Sequence, residues 1–287
     1  MAIRPMRAED VAVAEQISDQ AFHVLDLRQH RPDRPEPQSR SAEQSARWIA
    51  RTARFLDTDP GGCWVAEDET GVLGFATSVV REQVWVLVTF AVRPGLQGRG
   101  LGARLLAAAT AYGAGCPRAM LSASDDPAAL RRYWSAGFAL HPQLLLHGPL
   151  DRSLLPAVPG LRDGTSEDLA WIDDLDRLHR GGPHGPDHES LLGMGRLVVA
   201  ADRTGYAYAG PTGPALLAAR SEETACSLLW ECLASVSGEV ELGHVTAANR
   251  WAVDLGMRAR LSLATAGFLG VRGLEPPTPY LHNGALL

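Results

Sequence analysis

Lysine is missing from this chain: its 27 basic residues are all arginine. Codon bias in a GC-rich genome explains that, and the consequence is that no lysine side chain of its own can be modified. Cysteine is scarce. Cys63, Cys116, Cys226 and Cys232 are scattered without a CxxC pair, which excludes a disulfide framework and a cysteine zinc site and leaves reduced packing thiols. No apolar run is long enough to span a bilayer. No basic block is present either, so nucleic acid and anionic membrane are excluded as expected partners. The opening residues turn acidic and amphipathic at once, unlike a leader peptide, so the expected location is cytoplasmic.

With 287 residues, 46% of them hydrophobic and 21% charged, the chain suits one large domain or two ordinary ones with a buried core. The net charge of −6 is uneven: residues 1–150 hold 16 arginines against 16 acids, and residues 151–287 hold 11 against 17. An ordinary solvated surface explains this, although an acidic half would also attract a cationic ligand.

Periodicity predicts a short strand at Ile3-Arg4, then a helix opened by Ala8-Glu9-Asp10 with Val11, Ala14 and Ile17 on one face. Asp26–Ser41, carrying Pro32, Pro35 and Pro37, reads as a loop. Ala42–Leu56 resumes helical spacing. Cys63–Asp68 and Gly74–Val80 form a hairpin, and the β-branched stretch Val84–Val92 a central strand. A helix over Gly100–Tyr112, a strand over Arg118–Ser122, a helix over Pro127–Ala136 stopped by Gly137 and a strand around Phe138–Leu146 come next.

The second half starts like the first. Ile3–Ala12 aligns without gaps on Leu161–Ala170, and Val65-Ala66-Glu67-Asp68 with Thr70-Gly71 matches Val199-Ala200-Ala201-Asp202 with Thr204-Gly205. Two matches in the same order at similar spacing point to duplication of a domain. The boundary falls at the proline-rich Leu150–Gly160, giving domains 1–150 and 151–287.

The chemistry-bearing segment is Val92-Arg93-Pro94-Gly95-Leu96-Gln97-Gly98-Arg99-Gly100-Leu101-Gly102, which runs from a strand into a helix. Free N–H groups at a helix start, the helix dipole and glycines that permit close backbone approach together make an anion site suited to a pyrophosphate. No Gly-Lys-Ser/Thr follows, so it is not a Walker loop, and it departs from the dinucleotide GxGxxG at the last glycine. A plain strand–helix connection remains the alternative at this point.

The pattern resembles the GNAT N-acetyltransferase superfamily. Its signature, Gln/Arg-x-x-Gly-x-Gly/Ala after a strand ending Val-x-Pro, is matched by Val92, Pro94, Gln97, Gly100 and Gly102. Ala129, Tyr133, Gly137 and Phe138 match its second signature, with Asp126 where asparagine is usual. The resemblance implies an α+β fold, a mixed and mostly antiparallel sheet flanked by helices, here in two tandem copies. It implies acetyl-CoA as co-substrate, with the pyrophosphate on Gln97, Gly98, Arg99, Gly100, Leu101 and Gly102. The pantetheine arm would pair with the backbone of Phe90, Ala91 and Val92 where strands splay, Asp126 would belong to the cofactor site, and Tyr133 would protonate the leaving thiolate. A phenol suits that donation; the plainer reading of Tyr133 is a packing aromatic.

Departures qualify this. The family often carries a glutamate on the central strand as base, and Trp85–Ala91 holds no carboxylate; Glu82, Asp125, Asp126 and Asp26 are candidates. The second half lacks the glycine signature: Gly210–Pro214 belongs to a hairpin, and Asn249–Met257 has no tyrosine. It reads as degenerate, structural or acceptor-shaping. The expected activity is acetyl transfer to a primary amine, of a small molecule, by a monomer or homodimer. A non-catalytic acyl-CoA-binding sensor or scaffold is the alternative. His184 and His188 have i, i+4 spacing, but Gly185-Pro186 breaks a helix, so a loop or cap is expected and no metal. His23 and His30 are expected on the surface, and Trp48, Trp64, Trp85 and Trp134 in the core.

Overall fold

A computed structural model describes residues 1–30 and 36–287. The chain divides into two compact units: Met1–Val80 with Trp85–Cys116, and Arg81–Val84 with Pro117–Leu287. The first contains β1 (Ala2–Pro5), α1 (Val11–Gln29), α2 (Ala42–Thr58), β2 (Cys63–Asp68), most of β3 (Gly71–Arg81) and of β4 (Val84–Val92), and α3 (Leu101–Tyr112). Its strands lie in the order β1-β2-β3-β4. Helix α2 starts in a reciprocal capping box, the Gln44 N–H donating to Ser41 Oγ and the Ser41 N–H to Gln44 Oε1. The core gathers Ile17, Phe55, Phe75, Val86 and Leu105, all essentially inaccessible. At one end Asp59 Oδ1 accepts from the Val80 N–H and from Tyr112 Oη, which fastens the end of α2 to the sheet and to α3.

Helix α1 runs to Gln29, so the loop expected over Asp26–Ser41 starts later. Asp26–Gln29 contains no proline, and the helix above it is already nucleated. Pro32 and Pro35 fall outside the described residues. Trp48 and Trp85 are buried and Trp64 half-buried, whereas Trp134 is 71% exposed. The aromatic pattern on that helix does not distinguish a core tryptophan from a surface one.

The second unit contains β5 (Arg118–Ala123), α4 (Pro127–Ser135), β6 (Ala139–Pro149), β7 (Leu161–Asp163), α5 (Leu169–Arg180), α6 (His188–Leu192), β8 (Arg196–Ala200), β9 (Gly205–Ala209), β10 (Pro214–Ala219), α7 (Glu222–Ser235), β11 (Glu239–Thr246), α8 (Arg250–Arg258), β12 (Ser262–Arg272) and β13 (Tyr280–Leu281). One set of strands is ordered β13-β10-β9-β8-β7 and another β5-β12-β6-β11. Leu228, Leu229, Cys232 and Leu233 of α7 pack in one core with Val240 and Leu242 of β11 and Ala252 of α8. Arg81, the last residue of β3, is held here by a buried bidentate pair, its Nε and Nη2 each 2.7 Å from Asp187.

The duplication expected from the sequence is visible at atomic detail. Arg4 makes a fork to Asp10, and the Asp10 carboxylate also takes the Arg7 N–H. Arg162 makes the same fork to Asp168, which takes the Thr165 N–H. The turn Asp68–Thr70 recurs as Asp202–Thr204, with hydroxyl and N–H of the threonine both on the aspartate. The strand orders repeat too, and they explain why packing divides the chain at Cys116–Pro117 rather than at the repeat boundary near residue 150. Strand β12 of the second repeat lies between β5 and β6, while β6 of the first lies between β11 and β12. Each repeat lends one strand to the other, β6 from the first and β12 from the second, so residues 117–150 pack with strands of the second repeat.

Candidate acetyl-CoA and proton-donor sites

The first unit carries the candidate anion site. Strand β4 is nearly all apolar and buried up to Ala91, and Phe90 and Val92 are half-buried. The loop beyond it is exposed at Gln97, Gly98, Arg99 and Gly100, while Leu101 and Gly102 are buried at the start of α3. Gly98 and Gly100 have φ of 81° and 78°, the left-handed region that disfavours a side chain. No atom lies within 4 Å of a Cβ built at either. These glycines therefore satisfy a backbone conformation and leave the space outside it open.

Helix α3 begins immediately after Gly100, and the Arg104 N–H returns to the Gly100 carbonyl. The N–H groups of Leu101, Gly102 and Ala103 precede that bond and have no partner inside the helix. They carry the positive end of the helix dipole, and no acidic residue sits in the first turn to compete for it. The arrangement fits a pyrophosphate.

The second unit carries the candidate proton donor. Asp126 caps α4, its Oδ1 accepting from the Ala129 N–H at 2.7 Å. One to two turns on, Tyr133 is 6% exposed, and burial pushes its phenol well above the usual tyrosine range. It is therefore protonated at neutral pH and able to donate. Its carbonyl takes the Phe138 N–H around Gly137 at φ 85°, which ends the helix. Among the proposed bases, Glu82 is engaged with Arg177, and burial raises Asp26.

The second repeat differs from the first at the corresponding strand. Strand β10 stands where β4 stands in the first, and β13 pairs along it at Leu217 and Ala218, with the Ala219 N–H bonded to the Pro279 carbonyl. Asn249, before α8 as Asp126 is before α4, holds this segment: it accepts the Tyr280 N–H and donates to the Pro277 carbonyl. The β10 backbone that a pantetheine arm would use is already paired. No sequence pattern announced β13.

His184 and His188 are buried, His184 in a short turn and His188 opening α6. His184 Nδ1 is 2.6 Å from Asp176 and its Nε2 takes Arg180, while His188 contacts Tyr208 Oη and Asp173. Asp173, Asp176 and His188 converge closely enough to hold an ion, but every ring nitrogen is already engaged within the protein.

Residues 23–138 match the acetyltransferase (GNAT) family. The chain carries a GNAT acetyltransferase domain. Its chemistry is acetyl transfer from acetyl-CoA, and its fold is the α+β GNAT fold in two tandem copies. None of the curated proteins matches it. Among solved structures it is similar to a candidate acetyltransferase from Pyrococcus horikoshii at 17% identity, with a TM-score of 0.74 and coverage of 99% of this chain and 94% of that one. A GCN5-related N-acetyltransferase from Kribbella flavida is 15% identical with a TM-score of 0.61, over 94% of this chain and 70% of that one. One from Sphaerobacter thermophilus is 16% identical with a TM-score of 0.56, over 94% and 95%. No described helix of this GNAT protein is long and apolar enough to cross a membrane.

Proposed function

We propose that this chain moves an acetyl group from acetyl-CoA to a primary amine of a small molecule, with one competent repeat, residues 1–150, and a second, residues 151–287, that shapes the acceptor side. The observation that carries this reading is the open, left-handed Gly98–Gly100 turn delivering free N–H groups at the start of α3. Bound acetyl-CoA supplies an activated thioester. Residues Gln97–Gly102 hold its pyrophosphate, the backbone of Phe90–Val92 aligns the pantetheine arm, and Asp126 fixes the start of α4. As the amine nitrogen bonds the acetyl carbon and the C–S bond breaks, Tyr133 Oη donates its proton to the sulfur; the nitrogen releases its proton to solvent and the phenolate recovers one from it. The buried phenol stays protonated at neutral pH and so has a proton to give.

The test is thiol release by the purified full chain given acetyl-CoA and a panel of small amines. Amine-dependent release with N-acetyl product supports the enzyme. Tight acetyl-CoA binding without release for any amine favours the alternative, a non-catalytic acyl-CoA sensor, whose support is the lack of a carboxylate on Trp85–Ala91.

A further inference from the structure

Helix α4 has nine residues, and Tyr133 is the one among them that is buried. So short a helix depends on tertiary contacts, and a single buried side chain supplies few, so its ends must fix it on the sheet. At the start, Pro127 opens it and Asp126 caps it. The other end is held by a strand of the second repeat. Strand β12 pairs with β5 from Phe268 opposite Ala123 to Arg272 opposite Ala119, and Gly270 and Arg272 project from the same face of it. A Cβ at position 270 would lie 2.7 Å from Leu121 Cδ1 and 3.5 Å from Phe138 Cδ1, so the glycine lets both side chains close on the strand. Arg272 Nη1 donates to the Ala136 carbonyl at 3.2 Å, and its guanidinium carbon lies 5.2 Å from the centre of the Phe138 ring.

The Arg272 guanidinium has no carboxylate partner among the described residues; its attachments are the end of α4 and the ring that follows it. A cation is favoured at the carbonyl end of a helix. These attachments bear on Tyr133 through its own turn. The Tyr133 carbonyl accepts the Ala136 N–H and the Phe138 N–H, each at 3.1 Å. The two residues that Arg272 grips are therefore the two bonded to the Tyr133 main chain.

The second repeat offers a comparison within the same chain. Its Gly256 carbonyl takes the Leu261 N–H as the Tyr133 carbonyl takes that of Phe138, and Gly256 follows Asn249 at the distance at which Tyr133 follows Asp126. Arg272 ends β12, the strand lent to β5, and Pro149 ends β6, the strand lent to β11. Pro149 stands as far beyond Phe138 as Arg272 stands beyond Leu261. Where α4 has Tyr133 and Arg272, α8 has Gly256 and Pro149. The phenol and the arginine are absent together from the copy that lacks the glycine signature.

We propose that Arg272 is a positioning residue for the proton donor: a side chain of the second repeat fixes the turn of α4 that carries the Tyr133 phenol. The inference rests on the reading of Tyr133 as that donor. The second repeat then takes part in the transfer step as well as shaping the acceptor side. Arg272 acts through the end of α4 and not by binding acetyl-CoA.

The test is a double-mutant cycle on the full chain, following thiol release from acetyl-CoA with an amine that the wild type turns over. Arg272→Met keeps an apolar stem over Phe138 and removes the donor and the charge. Arg272→Lys returns a charge and a donor without the planar stack. The expected result is a kcat lowered about 10- to 100-fold in Arg272→Met, a smaller loss in Arg272→Lys, and an unchanged KM for acetyl-CoA in both. In the Tyr133→Phe background the same substitutions should change kcat by less than about twofold, since no phenol is left to position. Should the methionine variant fail to fold, the lysine variant carries the same cycle. Arg272→Met within about twofold of the wild-type kcat, or equal losses with and without the Tyr133 phenol, overturns the inference and leaves the donor reading standing. Tyr133→Phe with the turnover of the wild type overturns the donor reading, and this inference with it.

Discussion

Replacing Gly100 by asparagine separates the two reasons a glycine could stand at the head of α3. Gly100 has φ 78° and no neighbour within 4 Å of a Cβ. In the free protein a side chain there therefore costs only backbone strain, about 1–2 kcal/mol for alanine and less for asparagine, which visits this region readily. At roughly 4–8 °C per kcal/mol for a domain of about 100 residues, Gly100→Asn should lower Tm by a few degrees. A phosphate on the N–H groups of Leu101 and Gly102 would meet the new side chain, and each hydrogen bond to a charged group contributes about 1.5–3 kcal/mol. Losing one or two weakens acetyl-CoA binding by about 10- to 100-fold or more. Gly95 provides the matched control: its φ is 84°, its surroundings are equally open, and it precedes the glycine signature. Calorimetric titration of both variants with acetyl-CoA should show the loss for Gly100→Asn and unchanged affinity for Gly95→Asn, with similar small losses of Tm. Equal affinities in the two variants would refute the assignment of the loop.

Substitutions elsewhere have equally definite outcomes. Tyr133→Phe should lower kcat by about 10²- to 10⁴-fold while leaving acetyl-CoA affinity intact, measured by thiol release with an acceptor turned over by the wild type. Asp187→Ala removes the carboxylate from buried Arg81 and should destabilise by about 3–5 kcal/mol in urea unfolding, whereas Arg81→Met with Asp187→Leu should recover most of that. Asp126→Ala should cost about 0.5–2 kcal/mol through loss of the α4 cap. The Arg162 fork, ahead of burial, holds the Asp168 carboxyl well below the usual carboxylate range. Its contribution is complete above the unfolded pKa of about 3.9 and is lost as pH falls below that towards the depressed folded value. Asp168→Asn should accordingly flatten the acid limb of a pH–stability profile below about pH 4.

The parts of the molecule that were legible in the sequence are those governed by local chemistry. Strand and helix periods placed β2, β4, α2, α3 and α4 within a few residues. The repeated segments were visible as matching residues, and because their Arg–Asp and Asp–Thr spacings are short, the structure makes the same forks and turns of both copies. The Gly98–Gly100 loop belongs with them, since a left-handed backbone needs glycine wherever it occurs. What was not legible depends on distant partners. The exchange of β6 and β12 between repeats leaves no mark on either strand's alternation. Strand β13 is two residues long and exists because β10 has a free edge to pair with. Arg272 reaches the end of α4 only through the pairing of β12 with β5, and an arginine closing a strand carried no signal.

The claim that one pyrophosphate site exists, on Gln97–Gly102, is tested most directly by titrating the full chain with acetyl-CoA while following amide protection. The account predicts a stoichiometry of one per chain, with slowed exchange at the N–H groups of Gln97–Gly102. It predicts no change along Pro214–Ala219, where β13 already occupies β10. Two molecules bound per chain, or protection on β10 in place of the glycine loop, would contradict it.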